Sequence, residues 1–216
     1  MPTIIPAILE ETDRGYFEKV SRVIKIPGVE RIQVDFGDGK FIPTKLLDVM
    51  EIDSLNPAFV WEAHLMVKEP KDFLDYQICG FNKIIVHFEA YKLSTQLKIA
   101  LQTIKSHGME PCICINPGTS IDVLKEFEDE IKHFQIMGVH PGKQGQEFLE
   151  EMLYKIADFR KLCPNAIIEV DGGVNETNIK AIANAGADLI VAGSAVVKMA
   201  DMAMAYEKLA AEMNRN

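Results

Sequence analysis

One pattern constrains this chain more than any other. Short apolar runs rich in β-branched residues recur at residues 3–9, 30–36, 59–66, 83–88, 110–116, 134–139, 166–171 and 188–192. Each is followed by a helix-like segment, beginning near Arg14, Thr44, Pro70, Lys92, Ser120, Gln146, Glu176 and Asp201. Runs of this length and composition read as buried strands, and 3.6-residue spacing marks the helices. In one of them Leu97, Leu101 and Ile104 share a face with Leu93 or Ala100. Gly80, Gly108 and Gly186 stand just past helical segments, where a left-handed cap is expected. Eight strand–helix pairs with no linker between them predict a closed (β/α)8 barrel, with residues 1–216 as one domain. The alternative is an open doubly wound sheet. That fold would carry a GxGxxG turn after the first strand, where this chain reads AILEETD.

Composition narrows the partners. Of the 216 residues, 48% are hydrophobic, enough for one sizeable core. Thirty-two acids against 23 bases give a net charge of −9, which argues against nucleic acid and against anionic membrane surfaces. No apolar run approaches the roughly 20 residues that span a bilayer. The start, MPTIIPAILEE, lacks the charged segment of a signal peptide, so the cytoplasm is the expected compartment. Cys79, Cys112, Cys114 and Cys163 show no CxxC spacing and read as reduced thiols. Cys112 and Cys114 face the same side of one strand. Core packing is the first reading for them and a metal pair the second.

In a parallel barrel, ligands bind at the strand C-termini. There the chain places Gln33 with Asp35, Glu62 with His64, His87 with Glu89, and Glu169 with Asp171. Members two apart on a strand face the same way. Four strands are therefore expected to point acids, imidazoles or an amide into one cavity. Converging carboxylates repel unless they share protons or surround a cation. A bound metal or acid–base chemistry is one reading, and a solvated rim is the other. His107 and His133 fall outside the strand ends and are expected at the surface. Trp61 is expected to pack outward under a helix.

The loops suit an anion. Asp171 is followed by Gly172 and Gly173, and Asn175 can cap the next helix. The last strand is followed by Gly193 and Ser194. Backbone amides at these two positions commonly hold phosphate in barrels. The stretch GVHPGKQGQ from Gly138 to Gln146, with three glycines, reads as a mobile lid. It contains His140, Gly142, Lys143 and Gly145, with solvation the favoured reading for Lys143.

In these stretches the chain resembles the ribulose-phosphate 3-epimerase family. The matching segments are IIPAIL at the start, VDFGDGKFIPT at 34–44, HLMVKEP at 64–70, VHFEA at 86–90 and INPGTS at 115–120. They continue with VHPGKQGQEF at 139–148, EVDGGVN at 169–175 and AGADLIVAGSAV at 185–196. The resemblance implies a TIM barrel of the ribulose-phosphate-binding type that inverts C3 of a phosphorylated ketose. It implies Asp35 and Asp171 as the acid–base pair. It implies a divalent metal (Zn, Mn, Fe or Co) on Asp35, His64, Asp171 and the residue at position 33. It also implies Met66 and Met137 along the cavity, phosphate held near Gly142, Gly145, Gly172, Gly173, Gly193 and Ser194, and a dimer or hexamer. The chain departs from the family at several of these places. Gln33 replaces a metal histidine, Ala7 a serine, Gly37 a methionine, Lys143 an aromatic and Gln144 a glycine. Gln is a neutral, weaker donor than imidazole for Zn or Fe. The changes gather at the metal, the sugar end and the lid.

Overall fold

The computed structural model describes residues 1–142 and 145–215. Its strands are β1 (Thr3–Leu9), β2 (Arg31–Gly37), β3 (Val60–Met66), β4 (Lys83–His87), β5 (Glu110–Ile115), β6 (His133–Met137), β7 (Ile167–Asp171) and β8 (Leu189–Ala192). Each pairs in parallel with the next, and β8 returns to β1 through pairs such as Ile5 with Val191. The ring closes, which sets aside the open sheet. Every strand lies within two residues of its expected bounds.

The helices are α1 (Asp13–Val23), α2 (Phe73–Cys79), α3 (Ser94–Ser106), α4 (Glu151–Leu162), α5 (Ile179–Ala185), α6 (Ser194–Val197) and α7 (Met202–Met213). Gly80 and Gly186 close α2 and α5 with φ of 104° and 115°, as expected, and Gly108 follows the cap of α3 with φ of 76°. The helix expected from Thr44 does not form. The Asp38 carboxylate accepts from the amides of Lys40 and Phe41, which favours a turn, and Pro43 follows. Only a 3-10 turn, Val49–Glu51, remains, held by a capping box between Asp48 and Glu51. Residues Leu46, Leu47, Val49 and Ile52 still bury their side chains in the helix's place. The segment after β5 is also 3-10, Ile121–Phe127, capped by Ser120 and anchored by Leu124 and Phe127.

Other starts shift. α4 begins at Glu151 rather than near Gln146, because the chain first returns to β6, where the Leu149 amide donates to the Gly138 carbonyl. Asn175 does not cap α5. Its side-chain oxygen closes a turn by accepting from the amide and hydroxyl of Thr177, and α5 starts at Ile179. Leu93 is exposed, so the buried face of α3 is Leu97, Ala100, Leu101 and Ile104. Trp61 faces outward into the main core as expected, its indole N–H donating to the Asn56 carbonyl. No helix among the described residues is long and apolar enough to cross a membrane.

The barrel interior is polar and layered. Glu62 and Glu169, expected in the ligand cavity, lie one layer below it, wholly buried. The Lys83 ammonium stands between them, 3.0 Å from Glu62 and in contact with Glu169. The Arg31 guanidinium reaches Glu62 from the edge at 2.6 Å. Burial opposes charge on Glu62, yet Lys83 and Arg31 hold it below the usual carboxylate range. Burial and then the charge of Glu62 push Glu169 up to about 7. His133 is a second correction. It opens β6 and is buried, not at the surface, because inward positions of a barrel strand are covered at both ends. His107, at the end of α3, is half-buried.

Removing the central cation would strand two buried carboxylates. Lys83→Met should cost about 3–5 kcal/mol, read as a lower urea midpoint with unchanged m-value. Burial, then Lys83, holds His133 down to about 4. The unfolded chain would bind a proton there below about pH 6.5 that the native ring refuses until about pH 4. Stability should therefore fall through that window as pH drops. His133→Asn should flatten the fall, as measured by urea unfolding between pH 7 and 4.

Candidate active site

A cavity opens at the C-terminal ends of the strands. Asp35, His64, Met66, Met137, Asp171, Gly142, Gly145, Gly172, Gly173, Gly193 and Ser194 all line it, with Ala7. Gln33 lies beneath, fully buried, and reaches the two acids from the layer below. Strand register accounts for the grouping. Asp35 on β2 pairs with His64 on β3, and Met137 on β6 with Asp171 on β7. Lys143 and Gln144 lie outside the described residues. His140 is exposed, and its carbonyl accepts from the Gln146 side chain.

The polar groups interlock. His64 Nδ1 lies 3.2 Å from Asp35 Oδ1 and 3.1 Å from Asp171 Oδ2. Gln33 Nε2 donates to the same two oxygens, each at 2.8 Å. Burial disfavours charge on His64, but the hydrogen bonds to Asp171 and Asp35 outweigh it and hold the imidazole well above its ordinary pKa. Burial, aided by the charge of Asp171, raises Asp35. Behind His64, its Nε2 meets His87 Nε2 at 2.9 Å. Burial drives His87 down to about 4. The neutral His87 ring can then accept the His64 Nε2 proton.

Three residues behave differently from expectation. Neither His87 nor Glu89 lines the cavity: His87 is fully buried behind His64, and Glu89 turns away from the cavity. β4 ends at His87, and a 3-10 turn, Phe88–Ala90, swings Glu89 aside to accept from the Asn116 amide and the Thr119 hydroxyl. Gln135 was overlooked. Its Nε2 donates to Asp171 Oδ2 at 3.1 Å, so Asp171 is held by two glutamines. The alternation of Gln135 with Met137 on β6 already placed both on one face.

The glycines serve backbone packing as well as any ligand. A Cβ on Gly173 would lie 2.5 Å from the Phe148 amide nitrogen. One on Gly172, at φ of +108°, would lie 2.5 Å from a Val139 methyl. Both are needed where the segment after β6 folds back over β7. At Gly37, a Cβ would come within 2.6 Å of the Ile42 Cδ1. The side chain of Ile42 fills the space beside this glycine and packs with Leu46 and Met66. Gly142 rests on the same Ile42.

The donor set suits a divalent cation. Ligand atoms of Asp35, His64 and Asp171 all lie within 4.8 Å of one another. Gln33 Oε1 is buried without a partner while its Nε2 faces the acids. A half-turn of that amide would present Oε1 as a further oxygen ligand. With Nε2 inward, the amide supplies the acids with N–H donors instead.

The sequence model described as the ribulose-phosphate 3 epimerase family matches residues 3–197. The chain belongs to that family. Family membership makes it an enzyme of the isomerase class, among the carbohydrate-phosphate epimerases. It is 34% identical to the chloroplastic ribulose-5-phosphate-3-epimerase of Arabidopsis thaliana, over 96% of this chain and 76% of the relative. It is 30% identical to ribulose-phosphate 3-epimerase of Bacillus subtilis, over 97% of this chain and 98% of the relative. Among solved structures, 3-hexulose-6-phosphate synthase of Salmonella typhimurium superposes with a TM-score of 0.73 at 17% identity, covering 97% of each chain. At that identity the likeness concerns the fold alone.

If Gln33 relieves repulsion between the acids, Gln33→Leu should raise the Asp35 pKa further. Carboxyl carbon NMR titration would read the shift. An unchanged titration would show that His64 suffices.

Proposed function

We propose that this enzyme inverts C3 of a ketose phosphate, D-ribulose 5-phosphate or a related pentulose or hexulose phosphate, with Asp35 and Asp171 exchanging the proton. The observation that carries the reading is that both carboxylates line one cavity and share the same two partners, His64 and Gln33. Acids on β2 and β7 approach a bound sugar from two sides. One carboxylate removes the C3 proton, and the other returns a proton to the opposite face, which inverts the centre. Burial raises the basicity of Asp35, as a proton abstractor beside a ketone requires. His64 and Gln33 keep both acids aimed inward through the cycle. Met66 and Met137 give the cavity an apolar wall that limits water around the reacting carbon. Gly172, Gly173, Gly193 and Ser194 would receive the phosphate at the ends of β7 and β8.

A C3 proton beside a ketone is weakly acidic, so negative charge on the enediolate oxygens must be offset as it forms. Asp35, His64 and Asp171, with Gln33 Oε1 as a weaker fourth donor, would hold a Zn, Mn, Fe or Co ion, which when bound would supply that positive charge. The Gln33 amide also supports a second reading. Its N–H groups already satisfy both acids, as they would in a barrel that binds the sugar phosphate without metal or turnover.

Solvent deuterium exchange at C3 separates the readings. The first expects incorporation into D-ribulose 5-phosphate with at least one of Mn, Zn, Co or Fe. Asp35→Asn or Asp171→Asn should each lower that rate by roughly 10²–10⁴-fold while sugar-phosphate binding by calorimetry persists. Binding without exchange under any metal would favour the second reading. There, Gln33→His should restore both stoichiometric metal and turnover.

A further inference from the structure

A second cluster of donor atoms lies behind the first. His64, His87 and Cys114 come from β3, β4 and β5, and one ring nitrogen of each imidazole and the thiol sulfur lie within 4.8 Å of one another. All three residues are fully buried. We propose that they form a second metal site, a pocket of two imidazole nitrogens and one thiolate sulfur for a thiophilic cation of the zinc and copper(I) class, distinct from the oxygen-rich site on Asp35 and Asp171.

The ring geometry supports it. The two imidazole planes are only 20° apart, with centroids 5.1 Å apart. With the Nε2 atoms 2.9 Å apart, the rings meet nitrogen to nitrogen. Metal–nitrogen bonds of about 2.0–2.1 Å at a tetrahedral angle would separate those atoms by about 3.3–3.4 Å. Entry of an ion therefore requires the nitrogens to separate by about half an ångström and each ring to turn so that its lone pair meets the ion. The ion would replace the proton held between the rings and the proton of the thiol, and both would leave to solvent.

The outer contacts fit as well. His87 Nδ1 faces Glu89 Oε2 at 3.5 Å, and Glu89 is itself fixed through Oε1 by the Asn116 amide and the Thr119 hydroxyl. A carboxylate behind the far nitrogen is the usual support of a ligating histidine. Both His87 Nδ1 and Glu89 Oε2 are buried without another hydrogen-bond partner. The Phe41 ring packs on His87 at 4.7 Å. His64 lines the open cavity and gives the ion its way in.

Softness separates the two sites. Thiolate with imidazole selects zinc or copper(I), whereas carboxylate oxygen accepts manganese or iron. His64 serves both, through Nδ1 toward the acids and Nε2 toward His87. A neutral imidazole has one lone pair for a metal, so occupancy of the rear site through Nε2 leaves Nδ1 protonated, donating to the acids and unable to ligate an ion at the front site. The site stands whether or not the C3 reaction is this enzyme's.

The test uses the full-length, reduced, metal-free protein titrated with Co²⁺, followed by near-ultraviolet thiolate-to-cobalt charge transfer. A thiolate band should grow with added Co²⁺, persist in Asp171→Asn and in Cys112→Ala, and vanish in Cys114→Ala, with Zn²⁺ displacing it from the parent. Glu89→Gln, which leaves all three donors in place, should keep the band but weaken Co²⁺ binding by about 10–100-fold. Absence of a band in the parent protein would overturn the proposal. So would a band that survives Cys114→Ala, one that depends on Cys112, or unchanged affinity in Glu89→Gln.

Discussion

Charge neutrality inside the closed barrel is the condition on which the rest depends. A ring of eight parallel strands leaves little room for water, and this one buries four carboxylates along its axis. Each pair has its own solution. Glu62 and Glu169 close on the Lys83 ammonium, with Arg31 at the edge. Asp35 and Asp171 have no lysine. They share an imidazole and the Gln33 amide, and Asp171 adds the Gln135 amide, all weaker and exchangeable donors. The lower layer is neutralised by the chain's own cations and holds the fold. The upper layer is satisfied only by partners that a cation or a substrate can displace. The same physics thus separates a structural floor, with its acids on β3 and β7, from a reactive roof, with its acids on β2 and β7.

This layering explains what could be seen in the chain beforehand. Period-two alternation identified every inward acid, since a strand offers no other way to place residues 33 and 35, or 169 and 171, on one face. It could not say how deep each would sit. Depth follows from the stagger between neighbouring strands, which sets Glu62 beside Lys83 and His64 beside Ile85. Lys83, the residue that neutralises the floor, looked like an ordinary strand start. His133 was misjudged for the same reason, because the N-terminal end of β6 is as enclosed as its middle.

Loop chemistry was less legible than strand chemistry. The absent helix after β2 follows from an aspartate whose carboxylate competes for nearby amides, a local contest that hydrophobic spacing does not register. The glycines at 172 and 173 were legible as special, but half of their reason lies in the segment after β6, at Val139 and Phe148. Gly37 is similar. Read alone it is a lost side chain, yet the fold fills that volume with Ile42 from the following loop.

That replacement bears on how the family's chemistry has been reshaped here. Ile42 joins the β2 loop to the segment after β6, since Gly142 packs beside its Cβ and the Thr44 hydroxyl approaches the Gly142 carbonyl at 3.5 Å. The loop that carries Ile42 begins three residues past Asp35, and the segment after β6 turns back over the backbone beyond Asp171. The Ile42 loop and the segment after β6 therefore flank the two acids, while Gln33 holds their carboxylates from below. The differences at 33 and 37 need not be separate losses. They touch one packed unit, in which the Gln33 amide grips both acids from beneath and Ile42 fills the volume beside Gly37.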